Sequence, residues 1–123
     1  MSNELKRLQA ERKRVNERIG AIEMAARDKE NTALVGRCFK FRNSYSCPEK
    51  PSDYWWLYLV VLKAAKGGLY TFEFQTDRHG EFDIKPRGFH YNIGDDYHPI
   101  PRKEFDRAWE QTQKKITSLG TIP

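Results

Sequence analysis

Apolar residues recur at alternating three- and four-residue steps near the start of the chain: Leu5, Leu8, Val15, Ile19, Ile22 and Ala26, with Arg12 filling the slot between Leu8 and Val15. This is a heptad pattern, and its stripe is as narrow as a coiled-coil seam. Ser2 or Asn3 can cap such a helix, Glu4 puts a negative charge in its first turn, and Asn31-Thr32 marks its exit. The pattern predicts one long helix over residues 2–30. Gly20 in its middle costs about 1 kcal/mol against alanine, so a helical hairpin broken there is the alternative. A lone helix cannot bury this stripe. It must pack on its own body, on a second copy or on another partner. Arg12 in a core-type slot costs stability but can fix register or oligomer state.

Beyond Gly36 the period shortens to two. Cys38, Lys40 and Arg42 alternate with Phe39, Phe41 and Asn43, which predicts a strand over 37–45. The loop Ser46-Cys47-Pro48-Glu49-Lys50-Pro51-Ser52-Asp53 carries two prolines, which exclude a central strand. Tyr54 to Leu62 is almost wholly apolar and aromatic, as in a central strand covered on both faces. Lys66-Gly67-Gly68 turns the chain into a strand over 69–76, with Tyr70, Phe72 and Phe74 facing one way. After the turn Asp77-Arg78-His79-Gly80, short strands are expected at 81–85 and 88–93. Gly94-Asp95-Asp96 reads as a turn, and Pro99-Ile100-Pro101 as an extended approach to a last helix over 102–119. Phe105, Trp109, Ile116 and Leu119 share one face of that helix. The predicted fold class is α+β: a long N-terminal helix or helical hairpin, an antiparallel sheet of about five strands, and a C-terminal helix packed on the sheet. Residues 1–32 form a helical oligomerisation arm and 33–123 an antiparallel α+β ligand-binding domain.

Composition sharpens this division. A chain of 123 residues supports one core. Aromatic residues make up 13% of the chain, yet none precedes Phe39, so the aromatic chemistry belongs to the body. The formal net charge of +5 favours anionic partners such as nucleotides, nucleic acids or anionic lipid surfaces. Acids are interspersed among the bases, as in Glu11-Arg12-Lys13-Arg14, which is unlike a dedicated duplex-binding surface. Cys38 and Cys47 match neither a zinc nor a CxxC spacing and read as isolated buried thiols in a reducing compartment. The apolar run from Trp55 to Leu62 is too short to span a bilayer, so the expected location is the cytoplasm.

No nucleophile motif, phosphate-cradling glycine loop or metal-ligand motif is present, and the expectation is a binding protein without catalysis, metal or cofactor. His90 and His98 flank Asp95 and Asp96 at a spacing with no metal specificity, and the aspartates read as turn residues. The informative stretch runs from Phe82 to Arg107. Phe82, Phe89 and Tyr91 alternate with polar residues, each with core packing as the competing reading. Asn92 at a bend offers an amide to a base edge or a ribose hydroxyl. Arg102 and Arg107 come from the first turns of the last helix, where backbone N–H groups favour a phosphate, and a guanidinium stacks on a base or forks onto a phosphate. Solvated surface charges are the competing reading for both. For Trp55 and Trp56, core packing is expected, with an exposed stacking surface on one of them as the alternative.

The charged N-terminal helix precedes Phe39-Lys40-Phe41-Arg42-Asn43-Ser44-Tyr45 and Tyr54-Trp55-Trp56-Leu57-Tyr58. Phe72-Glu73-Phe74-Gln75-Thr76-Asp77 and Pro99-Ile100-Pro101-Arg102-Lys103-Glu104-Phe105 follow. In this general pattern, spread over most of the chain, the sequence resembles small phage-encoded proteins of the Thoeris anti-defence sponge family. Proteins of that family sequester cyclic ADP-ribose isomers made by bacterial TIR-domain defence enzymes and do not cleave them. The resemblance implies a homo-oligomer in the host cytoplasm, assembled through N-terminal helices, whose pocket holds an adenine between an aromatic ring and an arginine. Here that assigns Phe82 to the ring, Asn92 to the polar contact, Arg102 or Arg107 to the cation, and Asp106 to a ribose hydroxyl. The Phe41–Tyr45 segment can line the same pocket or merely begin the following loop. Two other readings stay open. One is an inhibitor or adaptor that grips a host protein through its coiled-coil helix. The other is a basic module that binds nucleic acid.

Overall fold

The computed structural model describes residues 2–44, 47–77 and 79–119. Tyr45, Ser46 and Arg78, which the sequence places in a strand end, a loop and a turn, lie outside the described residues, as does the side chain of Leu119. Helix α1 runs Asn3–Asn31 without interruption at Gly20, so the hairpin alternative does not occur. Ser2 caps it by accepting the Leu5 N–H, and Glu4 complements the helix dipole. At the far end Thr32 donates its hydroxyl to the Asp28 carbonyl, and a 3-10 turn over Thr32–Leu34 redirects the chain.

Five strands follow: β1 Cys38–Ser44, β2 Tyr54–Ala65, β3 Gly68–Thr76, β4 Phe82–His90 and β5 Tyr97–Ile100. Every pairing is antiparallel and the order is β4-β3-β2-β1-β5, so the apolar strand β2 is central. Its hairpin with β3 closes on Lys66 and Gly67, both at positive φ, the geometry that suits a two-residue turn to the twist of the strands. Helix α2, Arg102–Leu119, completes the chain.

Two details differ from the sequence reading. The strands expected at 81–85 and 88–93 are one bulged strand, β4, and the extended segment around Pro99 is a strand, β5. Pro86 lies where the β3–β4 register shifts, and a proline is tolerated there because β4 is an edge strand.

Alternation along the strands builds two cores. On one face Cys38, Val60 and Phe74 meet Phe105 of α2, with Trp109 packed against them. The opposite face buries Phe39, Leu59, Val61 and Leu69. Leu34 from the 3-10 turn and Ile93 from the β4–β5 connection cover this second core. α1 covers neither, and no residue of it is buried. Its last turns alone meet the body, where the Gly67 N–H donates to Asp28 Oδ1 (2.8 Å).

The sheet is strongly curled. β4 and β5 are its two edges, about 19 Å apart if it were flat. The rings of His90 at the end of β4 and Tyr97 at the start of β5 nevertheless lie 5.9 Å apart. None of the described helices is long and apolar enough to cross a membrane.

Candidate functional site

Face alternation on β1 and β2 places one cation and one aromatic ring side by side, twice. Arg42 is registered with Trp56, Lys40 with Tyr58 and Ser44 with Tyr54, all on the α2 side. Each cation leans to the diagonal ring, a neighbour within reach of a long side chain. The Arg42 guanidinium carbon lies 4.0 Å from the Tyr54 ring centre and Lys40 Nζ 4.5 Å from that of Trp56. His98 on β5, registered with Lys40, meets Trp56 edge-on at 6.2 Å. On the helix side Lys40 Nζ is also 3.2 Å from Glu104 Oε2.

α2 covers only part of this face. Its first half seats Phe105 and Trp109 against Phe74. Beside its middle and later turns lies a cleft of about 260 Å³. Trp56, Tyr58 and Phe74 form its floor, with Thr112 and Lys115 on the helix wall. The Tyr58 hydroxyl is pushed above its ordinary value, mainly by burial, with the Lys40 charge opposing. Among the described residues the lining carries an ammonium and no carboxylate, imidazole or thiol. Such a cleft can hold a flat ring against indole and an attached anion against Lys115.

Trp55 and Trp56 separate as alternation requires. Trp55 donates its indole N–H to Gln75 Oε1 (2.8 Å), which also accepts from Asn43 Nδ2 (2.9 Å). Trp56 keeps 36% of its surface exposed, so core packing does not hold for the pair and the stacking alternative applies to Trp56.

The five residues assigned from the sequence do not gather in one chain. Phe82 is half-buried opposite Thr76, which lines the cleft, and so borders it. Asn92 is exposed beside Ile93, whose side chain enters the opposite core. Arg102 begins α2 beside Cys38 and Ile100, and its Nε donates to Asp106 Oδ1 (2.9 Å). That hydrogen bond raises the Arg102 pKa further and occupies the carboxylate assigned to a ribose. Phe82 is on edge strand β4 and Arg102 follows edge strand β5, with strands β3, β2 and β1 between them in the sheet order. Arg107 lies on α2 between Glu104 and Gln111, one turn from each, on the flank beside Lys40. Phe41 stacks on Tyr97 (4.9 Å) on the opposite face, away from the cleft. Phe89 and Tyr91 are exposed and pack edge-on against each other.

A second polar arrangement went unread in the sequence. Glu73, only 5% exposed, accepts at Oε2 from the Thr71 hydroxyl (2.6 Å) and lies 2.7 Å from His90 Nε2. Gly88 opposite must remain glycine, because a Cβ there would strike Glu73 Oε2 and Thr71 Oγ1. Tyr97 is held above its ordinary value by burial and then by the nearby Glu73 charge. The arrangement is filled by its own members. His90 is thus engaged on the inner face and His98 beside Trp56, and among the described residues no group of three or more His, Cys, Asp or Glu side chains is placed to hold a metal. Cys38 is buried, its thiol pKa raised chiefly by desolvation, whereas Cys47 is exposed, contrary to the expectation for both. Compared with known proteins, the chain matches no family model, no curated protein and no solved structure.

Proposed function

We propose that this chain is a self-assembling binding protein that sequesters a small cyclic nucleotide-type ligand, of the class of the cyclic ADP-ribose isomers, without cleaving it. The observation that carries the reading is the cleft beneath α2, with its aromatic floor and the Lys115 ammonium on its helix wall. A nucleobase is planar and a pyrophosphate anionic, so Trp56 and Lys115 match the two halves of such a ligand. Phe82 borders the same cleft, and Arg107 stands on the adjoining flank of α2. The volume of about 260 Å³ is below the usual range of roughly 300–1,000 Å³ for ligand pockets.

Thermal unfolding of the full chain with a panel of cyclic ADP-ribose isomers and cyclic oligonucleotides tests this. A ligand that binds only the native state raises the midpoint by an amount set by its concentration over its Kd, about 2.7 kcal/mol at a hundredfold excess. The expected result is a large shift with one isomer, intact ligand released on heating, and no shift in Trp56→Ala or Lys115→Glu. Absence of any shift across the panel would remove the reading. A second reading, an adaptor that grips a different protein through α1, is favoured by the exposed seam. It requires the chain to stay monomeric at tens of micromolar in sedimentation, where self-assembly predicts an oligomer.

A further inference from the structure

The cation–aromatic rows on β1 and β2 extend past the cleft, and their outer end faces solvent. Tyr54 and Trp56 point the same way, two residues apart, so their rings are about 6.8 Å apart along the strand. This is about twice the 3.4 Å rise of stacked bases. Successive bases of a splayed, single-stranded chain match that spacing, and those of a duplex do not. Arg42 lies over Tyr54 at stacking distance and is itself exposed, so a base can stack on the guanidinium plane as well as on indole. Lys40 is shared between Trp56 and Glu104, and His98 closes the row at the β5 side. Arg107 and Lys115 add positive charge along the flank of α2, which also carries Glu104 and the Glu110–Lys114 pair.

We infer that this corner of the sheet is a binding surface for single-stranded nucleic acid. Bases stack on Trp56 and on the Arg42–Tyr54 pair, and phosphates lie along Arg42, Lys40 and the α2 flank. The surface uses ring faces and cations and offers few groups for reading base edges, so binding depends little on sequence. The surface shares Trp56 and Lys115 with the cleft of the cyclic-nucleotide reading, whereas Arg42 and Tyr54 do not line that cleft and belong to this surface alone.

The test is a fluorescence-anisotropy titration of the full chain with a labelled 12-nucleotide oligo-dT and with a 12-base-pair duplex, repeated across salt concentrations. The expected result is saturable binding of the single strand, at least tenfold tighter than of the duplex, with quenching of tryptophan emission. Trp56→Ala weakens it by about tenfold or more. Arg42→Ala weakens it and lowers the slope of log K against log salt by about 0.7, one phosphate for a single strand. Arg42→Ala leaves the thermal shift with a cyclic nucleotide intact, which separates failure of this surface from failure of the cleft. Arg42 is exposed, so that variant keeps its fold, and an unchanged melting midpoint verifies this. The inference is overturned by equal affinity for duplex and single strand, by absence of saturable binding at 50 mM salt, or by wild-type binding in folded Arg42→Ala.

Discussion

α1 and α2 are both amphipathic and highly charged, yet one is held by the body and the other is not. α2 spans 18 residues, buries Phe105 and Thr112, and seats Trp109 on the sheet. α1 spans 29 residues and buries none. Its Leu5, Leu8, Val15, Ile19 and Ile22 remain between 45% and 62% exposed. The difference follows from stripe width. Phe105, Ala108, Trp109 and Thr112 make a broad face that matches a curled sheet, whereas the heptad stripe of α1 is as narrow as another helix. A helix in water draws most of its stability from packing, so α1 in isolation lacks what holds α2 in place. The contrast leaves the α1 stripe without a covering surface in the single chain, and in our proposal a second copy supplies it.

The largest effect is expected from breaking the α1 side of this contrast. Leu8→Glu with Ile19→Glu removes four buried side chains from a pair of seams, at about 1.5 kcal/mol or more each. The loss of roughly 6 kcal/mol is more than four orders of magnitude in Kd. Sedimentation should therefore show monomers. Far-ultraviolet circular dichroism should lose more than half of its α-helical signal, because α1 holds 29 helical residues against 18 in α2. The β core should survive, since α1 covers neither of its faces. Phe105→Ala tests the other side of the contrast. It empties a buried site against Phe74 and Cys38 and is expected to cost about 3–5 kcal/mol of unfolding free energy while the helical seam persists. Urea denaturation followed by tryptophan emission reads this directly.

The same contrast explains what the sequence revealed and what it withheld. Element type followed from pattern: heptad steps gave α1, alternation gave β1 and β3, a nearly continuous apolar run gave β2, and Phe105 with Trp109 gave α2. The site was less legible because a strand's period names two faces without saying which one a helix covers. Trp56 and Trp55 were equal candidates for the core until the reach of α2 was known. Phe82, Asn92 and Arg102 are close in sequence, but β4 and β5 are opposite edges of the sheet, and the chain between them crosses to the far core through Ile93. The crossover disperses what sequence proximity had grouped. The Glu73–His90 contact was invisible for the same kind of reason, since it depends on the β3–β4 register around a bulge. A glycine at position 88 opposite two polar residues was the only local sign of it.

The smallest change sharpens the comparison without breaking it. Gly20 lies inside α1, and apart from its chain neighbours and the helix's own nearby backbone nothing lies within 4 Å of the position a Cβ would take. Its backbone is helical and gains nothing from being glycine. Gly20→Ala is therefore expected to stabilise α1 by about 1 kcal/mol through lower backbone entropy in the unfolded state. If α1 folds only as it assembles, that gain is added for each chain and tightens the oligomer, by about tenfold for each 1.4 kcal/mol accumulated. If α1 were already held by the body, as α2 is, the gain would appear in thermal stability alone and the oligomer Kd would not move. Measuring both quantities on the one variant distinguishes the two. A tightened Kd ties the order of the arm to its partner copy, and an unchanged Kd with a raised midpoint would make α1 a second α2.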